Sequence, residues 1–573
     1  MTDAHPNPVP AEENSVTQAA GRLQGPMTSF TLALLVYLVT IALLLPRNVN
    51  PLSAAHFLGI GADPTLFAWA LSWWPYALGH GLNPFVTHVV WAPQGFNLAW
   101  DTSVPSVALL LWPVTAVAGP VPAYNVAIMA SPLLAALAAF GLCRELTSRT
   151  WPALVGGWLF GFGPYESGQL LGHLHLTFTF PVPLLVWLAV RRWRGHMGGY
   201  AYAALSALTL AFLLGVSIEL YLTFTLMVAL VALLTWGLVP DQRRRLYSLV
   251  RWGSSAYAAS MALTLPFLYY LVLGAGAAPP SLNSPVVYSA DALNFVLPTA
   301  VTALGSGVSL PLTSQFSGNL AENGAYVGLP LLALLAWWLW SHRRDKWSRV
   351  LAFTAIACLV AELGPKLHIG GLVGGYLPWI LLSKLPFLKD ILPVRFALYF
   401  DLTAAIVVAI ILARLGRSRM VAAALLAVVA VLPWWPAPWR LTRVVTPSLF
   451  APQTVRRQFP AHDTLVVLPY GDEGQSMIWQ AADQMYFTMA GGYLSFVPAS
   501  MANLPVVGEL YGTRAPGKDF GGSLLAFCHS HGVRAVVATP GTPPLLLKSL
   551  HALKWNRTDW PGATIFWVPK ADV

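Results

Sequence analysis

The sequence predicts a polytopic α-helical membrane protein that ends in a small α/β domain. Three observations predict it. Hydrophobic residues make up 56% of the 573 and charged residues only 10%, whereas soluble domains carry roughly 25% charged residues. Apolar runs of roughly 16 to 22 residues recur from Thr28 onward, and a helix of that length crosses a bilayer because it satisfies its own backbone hydrogen bonds. After about Pro436 charges become regular, turn residues frequent, and the apolar β-branched runs short.

Composition argues against other classes. The net charge of +10 does not point to nucleic acid, because the arginines sit in short clusters between apolar runs, where they set topology. Cys143, Cys358 and Cys528 lie far apart, so neither a disulfide framework nor a metal site is indicated. No fixed-period repeat and no glycine-rich phosphate loop is visible.

Residues 1–27 are polar and aperiodic and read as a disordered cytoplasmic tail. Thr28–Leu45 reads as a first span rather than a cleaved signal, since a long tail with a single Arg22 is a poor leader. Arginine clusters follow at Arg144/Arg149, Arg191/Arg192/Arg194, Arg243/Arg244/Arg245/Arg251, Arg343/Arg344/Lys346/Arg349 and Arg414/Arg417/Arg419. Positive charge marks the cytoplasmic side, so all five belong on one face. They reach it only if Ser103–Gly119 does not cross. That segment is short for a span and holds Pro105 and Pro113, so it is assigned to the outer interface.

About eleven spans follow. They are Thr28–Leu45, Ala123–Cys143, Trp151–Gly161, Leu174–Val190, Gly199–Leu214, Leu220–Leu238, Gly253–Leu273, Tyr326–Trp340, Val350–Leu363, Val394–Leu412 and Met420–Pro433. The N-terminus is then cytoplasmic and the C-terminal region outside. Function is expected in the long outer segments, chiefly 46–122, where irregular backbone is concentrated. Leu377–Leu388 reads as a further interfacial helix. In the exterior α/β domain, 436–573, Thr464–Pro469, Val533–Ala538 and Ala563–Val568 read as strands, and Leu545–Leu553 as a helix.

Ionisable residues near span ends are functional candidates, because an unpaired charge at bilayer depth is costly. The expected outer face collects Asp63, Asp101, Glu166, Glu219, Glu322, Lys366 and Arg395, with His173 and His175. Acids with a few cations suit a substrate that carries a phosphate leaving group and a hydroxyl to deprotonate. Asp63 precedes Pro64 in GADPTLFAW, where it reads either as a helix N-cap or as a catalytic group. Trp69, Trp73, Trp74 and Tyr76 recur at near-helical spacing and read as interfacial anchors. Glu166 and His173 share one helical face with position 169, and either bind substrate hydroxyls or anchor the turn. His173 and His175 are two apart and do not face one metal. Arg395, in LPVRFALYFD, either clamps a lipid phosphate with its planar fork, assisted by Lys366, or snorkels to the headgroups. Glu219 requires a partner or water, and Glu322 reads as a helix cap.

The segments ADPTLFAWALSWWPYALGHGLNPF, WAPQGFNLAWDTSVP, FGPYESGQLLGHLHL, ENGAYVGLPLL and LGPKLHIGG…LPFLKDILPVRFAL, in that order, resemble the YfhO-like members of the GT-C glycosyltransferase superfamily. The resemblance covers most of residues 28–430. It implies a GT-C-like transmembrane domain over 28–435 with interfacial helices in the outer loop 46–122. It also implies a catalytic acid near the start of that loop, a polyprenyl-phosphate sugar donor, and inverting transfer at the outer face of the bacterial cytoplasmic membrane. Asp63 matches the position of that acid. Many relatives carry two adjacent acids there, whereas Asp63 is followed by Pro64, so no cofactor is expected and the need for a divalent metal stays open. On this reading Asp63 deprotonates a hydroxyl of a glycan, lipid or protein acceptor. Arg395 and Lys366 stabilise the departing phosphate, and Glu166, His173, Glu219 and Asp101 bind substrate. The alternatives are a lipid-linked glycan flippase and a non-catalytic membrane assembly protein. Transporters place ionisable groups at the midplane of repeated, broken helices, and neither feature is visible here.

Overall fold

The computed structural model describes residues 25–47, 49–274, 283–308, 310–385, 388–415 and 419–570. The expected disordered tail, up to residue 24, lies outside the described residues. Helix occupies all eleven segments read as spans. Among the described residues, five segments are long and apolar enough to cross a membrane: Met27–Leu44, Pro120–Thr147, Leu174–Trp193, Ile218–Leu238 and Pro393–Arg414. A sixth arises if the bent pair Pro240–Leu263 and Leu265–Val272 is one span. The bend, 72°, falls inside the segment expected as one straight span, Gly253–Leu273. Its cause is local, because Pro266 lacks the N–H that would continue the helical ladder. Gly199–Leu214, Leu329–Ser341 and Met420–Trp434 are shorter apolar helices.

The five basic clusters meet at one end of the bundle. Arg149 donates to the Leu415 carbonyl, Arg194 to that of Glu145, and Arg192 to Ser248 Oγ at 2.9 Å. Lys346 pairs with Asp241, and Arg414 meets His342. These contacts join every cluster to another, as the charge pattern required. Close helix packing supports the arrangement. Gly157 and Gly161 let Thr150–Gly161 approach Pro120–Thr147, and a Cβ at Gly157 would lie 2.6 Å from the Ala136 carbonyl oxygen.

Ser103–Gly119 holds no helix long and apolar enough to cross a membrane. It folds as two short helices, Pro105–Leu110 and Trp112–Ala118, each with a proline in its first two positions, where the missing N–H costs nothing. Leu377–Leu388 is not a helix throughout: it contributes one turn, Trp379–Leu382, and residues 386–387 lie outside the described residues. Before it stands an unexpected hairpin, Lys366–Ile369 with Leu372–Tyr376. The Asp291 carboxylate holds the hairpin turn by accepting from the Gly370 and Gly371 N–H groups at 3.0 and 2.8 Å.

The C-terminal region builds a five-stranded mixed sheet in the order Arg557–Trp560, Ala563–Trp567, Val533–Ala538, Thr464–Leu468, Thr488–Met489. Thr464–Leu468 pairs in parallel with both its neighbours, and the other two pairings are antiparallel. The three apolar runs read as strands all lie in this sheet. One apolar core continues from the sheet into the helix Asp63–Gly79. That helix corrects the reading of its tryptophans as interfacial anchors. Trp69, Trp73 and Trp74 are buried, because the helix Ser476–Ala482 covers the face that a surface-lying helix would give to lipid. Trp69 Nε1 donates to Gln480 Oε1 at 2.7 Å across this contact.

Candidate active site

Asp63 opens the helix Asp63–Gly79 as its first residue; Ala62 is the N-cap, and no side chain caps this end. The capping reading therefore fails, and the carboxylate finds its partners elsewhere. Asp63 Oδ1 accepts from the Tyr493 hydroxyl. Its Oδ2 lies 3.4 Å from His173 Nε2, and the side chain is one-third exposed, at 33%. Burial and the neighbouring Asp63 charge push the Tyr493 hydroxyl pKa up, so the phenol stays neutral and donates.

A buried polar chain stands behind His173. Gln169 donates its amide to Glu322 Oε2 and to the Ala321 carbonyl, both at 3.2 Å. Its oxygen therefore accepts, and His173 Nδ1 must donate to it, at 2.6 Å. That bond fixes the ring and leaves Nε2 for Asp63. Glu322 receives Arg395 through Nε at 3.1 Å and Nη2 at 2.6 Å, while Arg395 Nη1 pairs with Glu219. Glu219 also accepts from the Leu392 N–H at 3.0 Å. Burial pushes the Glu322 carboxyl up, but Arg395 outweighs it and holds the group below the usual range. Glu219 thus has the partner it required. Glu322 is no simple cap, since Asn319 caps that turn and Glu322 is the hub between Arg395 and Gln169.

The guanidinium expected to clamp a phosphate is filled by two carboxylates, whose oxygens match its planar fork. Lys366 stands apart on the hairpin, with its ammonium over the Tyr376 ring at 5.4 Å. Glu166 is buried, accepts from Thr179 at 3.2 Å through Oε2, and has no partner at Oε1 among the described residues. Burial raises its carboxyl well above the ordinary range. It does not join the His173 face as the seven-residue spacing suggested, because helix Pro164–Gln169 ends before His173.

Asp101 is the second acid on the outer loop. Its Oδ1 accepts from the Ser495 N–H at 3.0 Å and from the Ser495 hydroxyl. Burial pushes its pKa to about 6 against these bonds, and the Asp63 charge adds to the rise. Tyr493 and Ser495 thus bring one C-terminal segment onto both acids. Backbone bonds from Trp91 to Gly491 and from Ala92 to Met489 fix that segment to the loop. Among the described residues no three His, Cys, Asp or Glu side chains converge as metal ligands.

A family profile described as a domain of unknown function, DUF6311, matches residues 30–438. The chain belongs to the DUF6311 family. The fold of this DUF6311 chain is similar to that of several solved membrane glycosyltransferases. One is the arabinofuranosyltransferase AftD from Mycobacteria, at 14% identity and TM-score 0.59, covering 95% of this chain and 40% of that one. Another is the Archaeoglobus fulgidus oligosaccharyltransferase tethered with an acceptor peptide, at 13% identity and TM-score 0.51, covering 94% and 74%. The oligosaccharyltransferase AglB from Archaeoglobus fulgidus, in complex with an inhibitory peptide and a dolichol-phosphate, is similar at 13% identity and TM-score 0.51, covering 90% and 69%. No curated protein matches the sequence. At these identities the likeness shows a fold shared with these membrane glycosyltransferases, and the YfhO-like affiliation is a resemblance in sequence.

Proposed function

We propose that this DUF6311 protein is a GT-C-type glycosyltransferase that moves a sugar from a polyprenyl-phosphate donor to an acceptor hydroxyl at the outer face of the bacterial cytoplasmic membrane. One observation carries the proposal. On this fold, a partly open carboxylate that caps no helix is held between an oriented imidazole and a neutral hydroxyl. The dolichol-phosphate and peptides held by the similar oligosaccharyltransferase structures support the donor and acceptor classes.

Asp63 takes the proton from the acceptor hydroxyl as its oxygen attacks the anomeric carbon. The bond from that carbon to the phosphate oxygen breaks, the lipid phosphate leaves with the electron pair, and the configuration inverts. Tyr493 donates to Asp63 where an acceptor hydroxyl would donate, so the acceptor replaces the phenol on that oxygen. Arg395 is a positioning residue: it fixes Glu322, which fixes Gln169, which presents His173 to Asp63. Lys366 lies on the exposed hairpin, where it suits a headgroup phosphate.

Deletion of the gene followed by mass spectrometry of the cell's glycolipids and envelope glycans tests the reading. A transferase predicts a glycan short of one sugar and an accumulated polyprenyl-phosphate sugar. Accumulation of a complete lipid-linked glycan would instead identify a flippase.

A further inference from the structure

Between the helices Lys346–Glu362 and Ala397–Arg414 stands the hairpin Lys366–Ile369/Leu372–Tyr376, and its outward side is apolar. Ile369, Leu372, Val373 and Tyr376 are exposed, Leu372 at 78%, and every residue of Leu372–Tyr376 is open. Leu381 and Leu385 extend this surface along the chain. We propose that the hairpin lies flat in the headgroup layer of the bilayer, at the end of the bundle away from the basic clusters, with these side chains directed into lipid. The proposal is independent of the transferase reading.

Position is the first argument. Lys346 and Arg349 open their helix at the basic end, so Glu362 marks the other end. The base of the hairpin is tied there, because the Leu377 N–H donates to the Pro365 carbonyl at 3.0 Å, just beyond Glu362. The tip is tied there too. Asp291 accepts from Gly370 and Gly371, and the neighbouring Ala290 N–H donates to the Glu362 carbonyl at 2.8 Å. With base and tip held to one helix end, the ribbon lies across the rim of the bundle instead of standing off into water. Its inner side is taken by protein: His368 is buried, and its Nδ1 meets Ser317 Oγ at 3.2 Å.

Surface chemistry is the second argument, and it names the partner. Phe353, Ile356 and Val360 are exposed on one face of the helix, the stripe that a spanning helix gives to lipid. The hairpin takes up that apolar surface a few residues after Val360. No acid occurs between Glu362 and Asp390, and Lys366 and Lys384 stand at the two margins of the patch. The Lys366 ammonium lies 5.4 Å from the centre of the Tyr376 ring. A lysine beside an aromatic ring suits headgroup depth, where the amine reaches lipid phosphate and the stem stays among apolar groups. The backbone sets the depth. A two-stranded ribbon leaves the outer edge of each strand unpaired, which hydrocarbon does not tolerate, whereas in water alone such a ribbon is marginal. The headgroup layer serves both needs, since it hydrates the edges and takes up the apolar side chains.

The test is an environment-sensitive thiol fluorophore on Val373→Cys in the full chain, held in lipid nanodiscs. Cys143, Cys358 and Cys528 are buried, and the wild-type chain labelled in parallel gives their background. Leu545→Cys, exposed on the C-terminal sheet domain, is the aqueous reference. The expected result is emission at position 373 to the blue of that at 545, with lipids brominated near the headgroup quenching it at least twofold. Aqueous iodide should quench the probe at 545 at least twofold more than the probe at 373. If Val373→Cys does not fold, Leu381→Cys carries the same comparison. Equal iodide quenching at the two positions would place the hairpin in water. Blue-shifted emission that brominated lipid leaves unchanged would place protein over it. Either result overturns the proposal.

Discussion

Replacing Arg395 by Met would leave Glu219 and Glu322 at the bundle end without their shared counter-charge. Breaking a buried pair in this way costs about 3–5 kcal/mol, and thermal unfolding in detergent should show it. Adding Glu219→Gln and Glu322→Gln should restore most of the loss, because the orphaned charges are then gone. Asp101 gives a second prediction, in pH. Its folded pKa of about 6 stands above the ordinary carboxylate value. The native state therefore favours the protonated acid, and its contribution, complete below about pH 4, is lost as pH rises through 6. The difference is about 3 kcal/mol, and Asp101→Asn should flatten that part of the stability profile. The ionisable residues of the site were legible in the sequence because charges stand out in an apolar chain. Their partners were less so. Arg395 suggested a phosphate and found two carboxylates, and Glu322 suggested a cap. Tyr493 and Ser495 gave no signal at all: the contact from Tyr493 to Asp63 spans 430 positions, and no local pattern reports it.

At the level of elements, apolar runs located the spanning helices well, and β-branched runs located three strands of the C-terminal sheet. What it could not supply was exposure. The tryptophans of Asp63–Gly79 recur as interfacial anchors do, yet they are buried because a helix more than 390 residues later covers them. The hairpin Lys366–Ile369/Leu372–Tyr376 was hidden by its glycines, which weaken a strand signal. The tight pairing of Pro120–Thr147 with Thr150–Gly161 makes a prediction of its own. Gly157→Ala forces a methyl against the Ala136 carbonyl oxygen and the Tyr37 hydroxyl. Overpacking of this kind costs about 1–3 kcal/mol, which should appear as a lower unfolding temperature in the purified protein, whereas Gly237→Ala, with open space at that position, should not lower it.

For the whole molecule, charge parity was the strongest argument available from sequence. It placed five basic clusters on one face, with which the contacts among them agree, and it assigned to the outer interface Ser103–Gly119, which holds no helix long enough to cross. The same sorting leaves the acids at the end where the C-terminal sheet shares its core with the first outer loop. The C-terminal region is thus part of the site, since it supplies the hydroxyl on Asp63 and the clasp on Asp101. The account rests finally on Asp63 as the base. The direct measurement is the glycolipid and envelope-glycan profile of a deletion strain complemented with Asp63→Asn, at a protein level matched to wild type. The account predicts that the missing sugar is not restored. A near-normal profile from that variant would contradict it.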